Sequence, residues 1–176
     1  MEPGESWRRT CWSSARKALL PTLPLQIVRL RVKRAQALGL DYTTYATVRA
    51  TTGRDIIGFL FSDNALRLHK GDTPPTHIQH KLRSGPDATT ALAVYRPRHP
   101  EALKERLAAE CGIAFDIAMR APTLRDTPEG LRKHLQTALR DMPGDAVLLV
   151  GDGPLEQSWM ATAGLAGYVS SERYFR

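Results

Sequence analysis

A length of 176 residues is enough for one full domain or for two small units sharing an interface. With 42% apolar and 24% charged residues the composition is that of an ordinary globular protein, and no apolar run approaches the roughly 18 residues a membrane-spanning helix needs. The formal net charge of +7 is unevenly placed: residues 1–86 carry 14 Lys/Arg against 6 Asp/Glu, and residues 87–176 carry 11 against 12.

That asymmetry points to an anionic partner for the first half, nucleic acid foremost and an acidic protein after it. A solvated basic surface is the competing reading, because the excess is spread along the segment rather than packed into one block. The two cysteines, Cys11 and Cys111, lie far apart in unlike settings. They suggest neither a disulfide framework nor a Cys-x-x-Cys metal site, and a reducing, cytoplasmic compartment is expected.

Taken in order, the chain opens with Trp7, Trp12 and a basic Ser13–Leu20 stretch that reads as an arm or first helix. Leu25, Val28, Val32, Ala35 and Leu38 recur at spacings of three and four, which predicts a helix closed by Gly39. Asp41 or Thr43 can cap a second helix with Tyr45 and Val48 inward. Helix, glycine turn, helix is the outline of a helix-turn-helix, and equally of a structural helical hairpin. In the first case Thr43, Thr44, Thr47 and Arg49 are exposed toward a duplex, flanked by Arg31, Lys33, Arg34 and Arg54. Arg34 and Tyr45 fit that motif poorly, standing where smaller apolar residues would be more comfortable.

Ile56–Phe61 is too short an apolar run to settle by periodicity; its β-branched and aromatic content and Gly58 favour a strand, with a helix from Asp55 into Leu68, capped by Asp55, as the alternative. Residues 69–87 are rich in proline, glycine and polar residues and read as a linker or long loop. The histidines there, His69, His77 and His80, have no second ligand pair at motif spacing, so no metal site is expected.

Residues 88–176 alternate strand and helix: Ala91–Tyr95, a helix from Pro100 to Cys111, Ile113–Met119, a helix opened by Thr127-Pro128-Glu129, Asp145–Val150, Leu155–Ala163, and a short edge strand at Tyr168–Ser170. Such alternation predicts right-handed crossovers and a parallel sheet. The run Ala146–Val150, ending in Gly-Asp-Gly-Pro, reads as a strand buried on both faces. The predicted fold class is therefore α/β: a basic, mainly helical region over 1–68, a linker over 69–87, and a small three-layer α/β unit with a parallel sheet over 88–176.

Ligands of open α/β sheets sit beyond the carboxyl ends of the strands. There the sequence places Arg96, Arg120, Gly151, Asp152 and Gly153, with Arg98 and Arg125 as further guanidiniums able to hold a phosphate or carboxylate. Asp152 could hold a ribose hydroxyl or merely cap the following helix. His134, inside a helical pattern, reads as structural or solvent-facing.

No glycine-rich phosphate loop, nucleophile elbow or Cys–His pairing is present, so no catalytic residue and no cofactor is assigned. The favoured reading is an accessory or regulatory protein. Its first half binds nucleic acid, and its second half packs, forms a homodimer or senses a ligand. The alternatives are a small enzyme or a protein binding a nucleotide or phosphorylated ligand at Gly151-Asp152-Gly153, and a module whose basic face meets an acidic partner.

Overall fold

A computed structural model describes residues 23–68, 73–140 and 142–176. The expectations for Trp7, Trp12 and Ser13–Leu20 lie outside these residues. The described chain is an α/β fold built on one five-stranded, all-parallel sheet. Its elements in order are α1 (Leu25–Ala37), α2 (Tyr42–Thr52), β1 (Gly58–Ser62), α3 (Thr76–Ser84), β2 (Thr89–Val94), α4 (Pro100–Cys111), β3 (Ile117–Arg120), α5 (Pro128–Ala138), β4 (Val147–Gly151), α6 (Pro154–Ala163), β5 (Gly167–Ser170) and the single turn α7 (Ser171–Tyr174).

Helix boundaries follow local chemistry. Asp41 caps α2 by accepting from the Thr44 amide at 2.8 Å and the Thr44 hydroxyl at 2.6 Å. Those bonds, more than the nearby Arg173, hold its carboxyl below the ordinary aspartate value. Thr127 caps α5 in the same way, and proline stands in the first turn of α4, α5 and α6.

The strand order is β3-β2-β1-β4-β5. Phe59 pairs with Thr90 on one side and with Leu148 on the other, so β1 is the central strand. The sheet thus begins before residue 88, and β1 comes from the part of the chain read as mainly helical. Residues 76–84 are a helix rather than part of a linker, burying Ile78 and Leu82.

Alternation along the strands divides the core into two layers. Phe59, Phe61, Leu92, Val94, Leu148 and Val150 face α1, α2, α3, α4 and α7. Leu60, Ala91, Ala93, Met119, Val147 and Leu149 face α5 and α6. All five residues of β1 and of β4 are buried, as strands covered on both faces must be. The first layer is aromatic: Phe61 lies 5.8 Å from Phe115 and 5.4 Å from Tyr174, both edge-on.

Candidate functional site

The crossovers through α3 and α4 step outward from β1 toward β3, whereas the crossover through α6 steps outward from β4 toward β5. Between β1 and β4 the winding reverses, so their carboxyl ends form the topological switch point, the place where open α/β sheets hold ligands. The residues at that point are Ser62-Asp63-Asn64 and Gly151-Asp152-Gly153.

Ser62 closes the first turn by accepting the Ala65 amide at 3.0 Å. Asp63 then folds inward and is 1% exposed. Its Oδ2 accepts the Tyr95 amide at 3.2 Å and lies 3.6 Å from Arg98 Nη1, while Oδ1 is buried without a partner. Burial raises its carboxyl above the ordinary value; the Tyr95 amide and Arg98 oppose that rise, and Glu156 adds to it.

Glu156, in the first turn of α6, is also 1% exposed. Its Oε2 accepts the Asp152 amide at 3.0 Å, and its Oε1 accepts Asn64 Nδ2 at 3.2 Å and the Tyr95 hydroxyl at 3.4 Å. One carboxylate therefore ties the turn after β4 to the turn after β1. The Asp152 side chain is exposed and does not cap α6, whose N-cap is Gly153. Burial, and after it the neighbouring carboxylates, push the phenols of Tyr95 and Tyr168 above the ordinary tyrosine value. Both remain neutral donors through the physiological range.

One strand over, a cavity of about 650 Å³ is lined by Tyr95, Arg96, Arg120, Thr123, Arg125, His134 and Leu155 among others. Arg96 follows β2, Arg120 ends β3, and Arg125 comes from the loop before α5, so three separate segments contribute arginines to the lining of one cleft. Arg120 is anchored by donating from Nη1 to the carbonyls of Val94 and Arg98. His134 Nε2 lies 2.7 Å from the Arg120 carbonyl oxygen. Asp126, the one acid in the lining, is engaged by the Thr123 amide at 2.6 Å and hydroxyl at 3.0 Å.

The structure thus brings Arg96 and Arg120 together, with Arg125 and His134 beside them. Gly151, Asp152 and Gly153 stand at the adjoining switch point rather than in the cleft, which Leu155 of α6 lines. Arg98 is directed away, to Asp63 and to the Leu68 carbonyl at 2.7 Å.

The residues read as a nucleic-acid face are placed differently. Thr44 is buried and bonded to Asp41, correcting the expectation that it is exposed; its position after the cap turns it inward. Thr47 donates its hydroxyl to the Thr43 carbonyl within α2. Arg34 donates to Asp55 at 3.0 Å, to Asp87 at 2.9 Å and to the Ile56 carbonyl at 3.0 Å, which explains a cation where an apolar residue looked more comfortable. Arg49 lies 3.8 Å from Asp55, and Arg54 lies 2.8 Å from Asp145. Arg31 is half-buried and Lys33 is exposed on α1, and Thr43 is exposed on α2.

Asp63, Asn64 and Glu156 escaped sequence reasoning as site residues. An acidic residue directly after the apolar run of β1 was the available signal for the first two; nothing marked Glu156, which reads as an ordinary first-turn acid of a helix. The chain matches no family model, no curated protein and no solved structure.

Proposed function

We propose that this protein binds a phosphorylated small molecule, of the nucleotide or sugar-phosphate kind, in the arginine cleft beside the switch point between β1 and β4. The observation carrying this reading is the convergence of Arg96, Arg120 and Arg125 from three segments on one cavity, with its only acidic lining residue already engaged. Guanidinium forks match phosphate oxygens bidentately, and a partly walled cleft strengthens that match relative to open water.

The phosphate belongs in the cleft and not at the switch point itself. Asp63 and Glu156 make the latter acidic and buried, hostile to an anion. The exposed carboxylate of Asp152 and the half-exposed Asn64 suit the hydroxyl-bearing remainder of the same ligand. A panel of nucleoside mono- and diphosphates and sugar phosphates tests this by thermal shift. At least one member is expected to raise the melting temperature of the protein and to lose that effect in the Arg96→Ala/Arg120→Ala double variant. A panel that shifts both proteins equally, or neither, refutes the reading.

A second reading rests on α1, which holds Arg29, Arg31 and Lys33 and no acidic residue. In this reading, nucleic acid docks on the basic first half through phosphate contacts. Affinity for a duplex then falls steeply with salt and drops when Lys33 is replaced by Ala. Absence of binding at low salt removes it, and binding to an acidic protein instead would move the partner class.

A further inference from the structure

A second cleft, of about 390 Å³, lies between the turn that leaves β1, the start of α3 and α7, and shares no residue with the arginine cleft. It is lined by Arg67, His77, Ser171, Glu172, Phe175 and Arg176. Arg67 is its unusual member. The Leu68 amide donates to the Asp63 carbonyl at 3.2 Å and the Arg67 amide to the Asn64 carbonyl at 2.8 Å. This is the bonding of a Schellman turn, with Arg67 at the position that most favours glycine. Arg67 accordingly has φ +58°, a left-handed conformation that a long side chain adopts only at a cost.

The guanidinium gains no compensating bond within the protein. Its Nε is buried without an acceptor, and among the described residues Arg67 forms no ion pair or side-chain hydrogen bond. Orphaned buried donors are rare, and one on a permanently charged group is rarer. The surroundings leave the Arg67 charge uncompensated. Among the described residues Glu172 is the one acidic side chain in the lining, and it is taken by Arg176 at 2.9 Å; His77 lines the same space from α3. The wall is firm, because the Ser171 hydroxyl donates to the Ala65 carbonyl at 2.6 Å and fixes α7 to the β1 turn.

We propose that this cleft is an oxyanion site, in which the Arg67 guanidinium takes a phosphate or carboxylate group, with His77 and Arg176 at its mouth. The anion supplies acceptors that the described residues withhold from Arg67, with the side chain turning to bring its buried Nε edge to the cleft. The assignment stands apart from the proposed arginine-cleft ligand, since the two share no residue.

The test is made in the Arg96→Ala/Arg120→Ala background, so that the other cleft does not contribute. Inorganic phosphate and malonate are titrated separately while the melting temperature and the Arg67 Nε–H resonance are followed. Either anion, at ten times its dissociation constant, is expected to raise the melting temperature by roughly 3–6 °C and to shift that resonance. Adding Arg67→Gly is expected to abolish the anion response, yet to melt at or above its parent in anion-free buffer, because glycine relieves the left-handed strain. That second measurement separates lost binding from lost folding. No response to either anion, or a response of equal size in the Arg67→Gly variant, overturns the assignment.

Discussion

Replacing Glu156 probes the junction on which the candidate site depends. Glu156→Ala deletes the acceptor for the Asp152 amide at 3.0 Å and for Asn64 Nδ2 at 3.2 Å. The Tyr95 hydroxyl, at 3.4 Å, is a longer and weaker contact. A hydrogen bond to a charged acceptor contributes about 1.5–3 kcal/mol, so the two shorter bonds together come to at least about 3 kcal/mol. Two effects reduce that figure. Asp152 is exposed and Asn64 half-exposed, so water recovers part of their bonding. Removing a buried carboxylate also removes its desolvation cost. A net loss of about 2 kcal/mol remains, which for a chain of this length lowers the melting temperature by roughly 4–8 °C. Glu156→Gln keeps one carbonyl acceptor and the shape, and should lose about half as much. Urea unfolding at neutral pH, with the denaturant slope checked for constancy, measures both. If Glu156→Ala lies within about 0.5 kcal/mol of the parent, or the glutamine variant is the worse of the two, the carboxylate does not tie the two turns together.

Two further expectations concern the same region. The Asp63 carboxyl is raised above its unfolded value, so its contribution to stability is fully present at low pH. That contribution is lost as pH rises from about 3.9, the unfolded value, through the folded one. Asp63→Asn removes this dependence while keeping an acceptor for the Tyr95 amide, so its stability relative to the parent should improve as pH rises from about 4 and level off above the folded value; a gap that stays constant or shrinks from the acid end in chemical unfolding contradicts the assignment. At Gly151 an added Cβ would meet Tyr168 Cε2 at 2.8 Å and Glu156 Cβ at 2.9 Å. The tyrosine ring can swing aside but the helix-borne Glu156 Cβ cannot, so Gly151→Ala should destabilise by about 1–3 kcal/mol, and an unchanged melting temperature would show that α6 yields freely.

How much of this was legible in the sequence depended on how local the cause was. Val147–Gly151 could be read directly, since a continuous Val/Leu run stopped by Gly-Asp-Gly-Pro has few other structures open to it. Pro100, Gly112 and Thr127 marked their helix ends because capping is decided within a turn. Thr76–Ser84 was lost in a proline-rich stretch, although Pro75 before it, Gly85 after it and the Ile78–Leu82 spacing were the signature of a short amphipathic helix. The place of β1 was not legible at all. Alternation shows that strands are parallel but not which neighbours they take, and pairing of Gly58 with both Thr89 and Val147 is a property of the whole sheet. For the same reason Arg96 and Arg120 could be matched by adjacent strand ends, whereas the Asn64–Glu156 junction required the order of strands first.

The central seat of β1 also has a consequence in time. Its partner on one side, β2, follows closely in sequence, but its partner on the other side, β4, is separated from it by α3, β2, α4, β3 and α5. During synthesis, at ordinary ribosomal rates, β1 would wait on the order of ten seconds with the backbone edge that β4 later takes unpaired. Such an open strand is a template for pairing with another nascent chain. Release of the chain before Val147 would make that interval permanent. Truncated products are therefore expected to associate through Gly58–Ser62, and the arrival of β4 is the step that closes the molecule against its own copies.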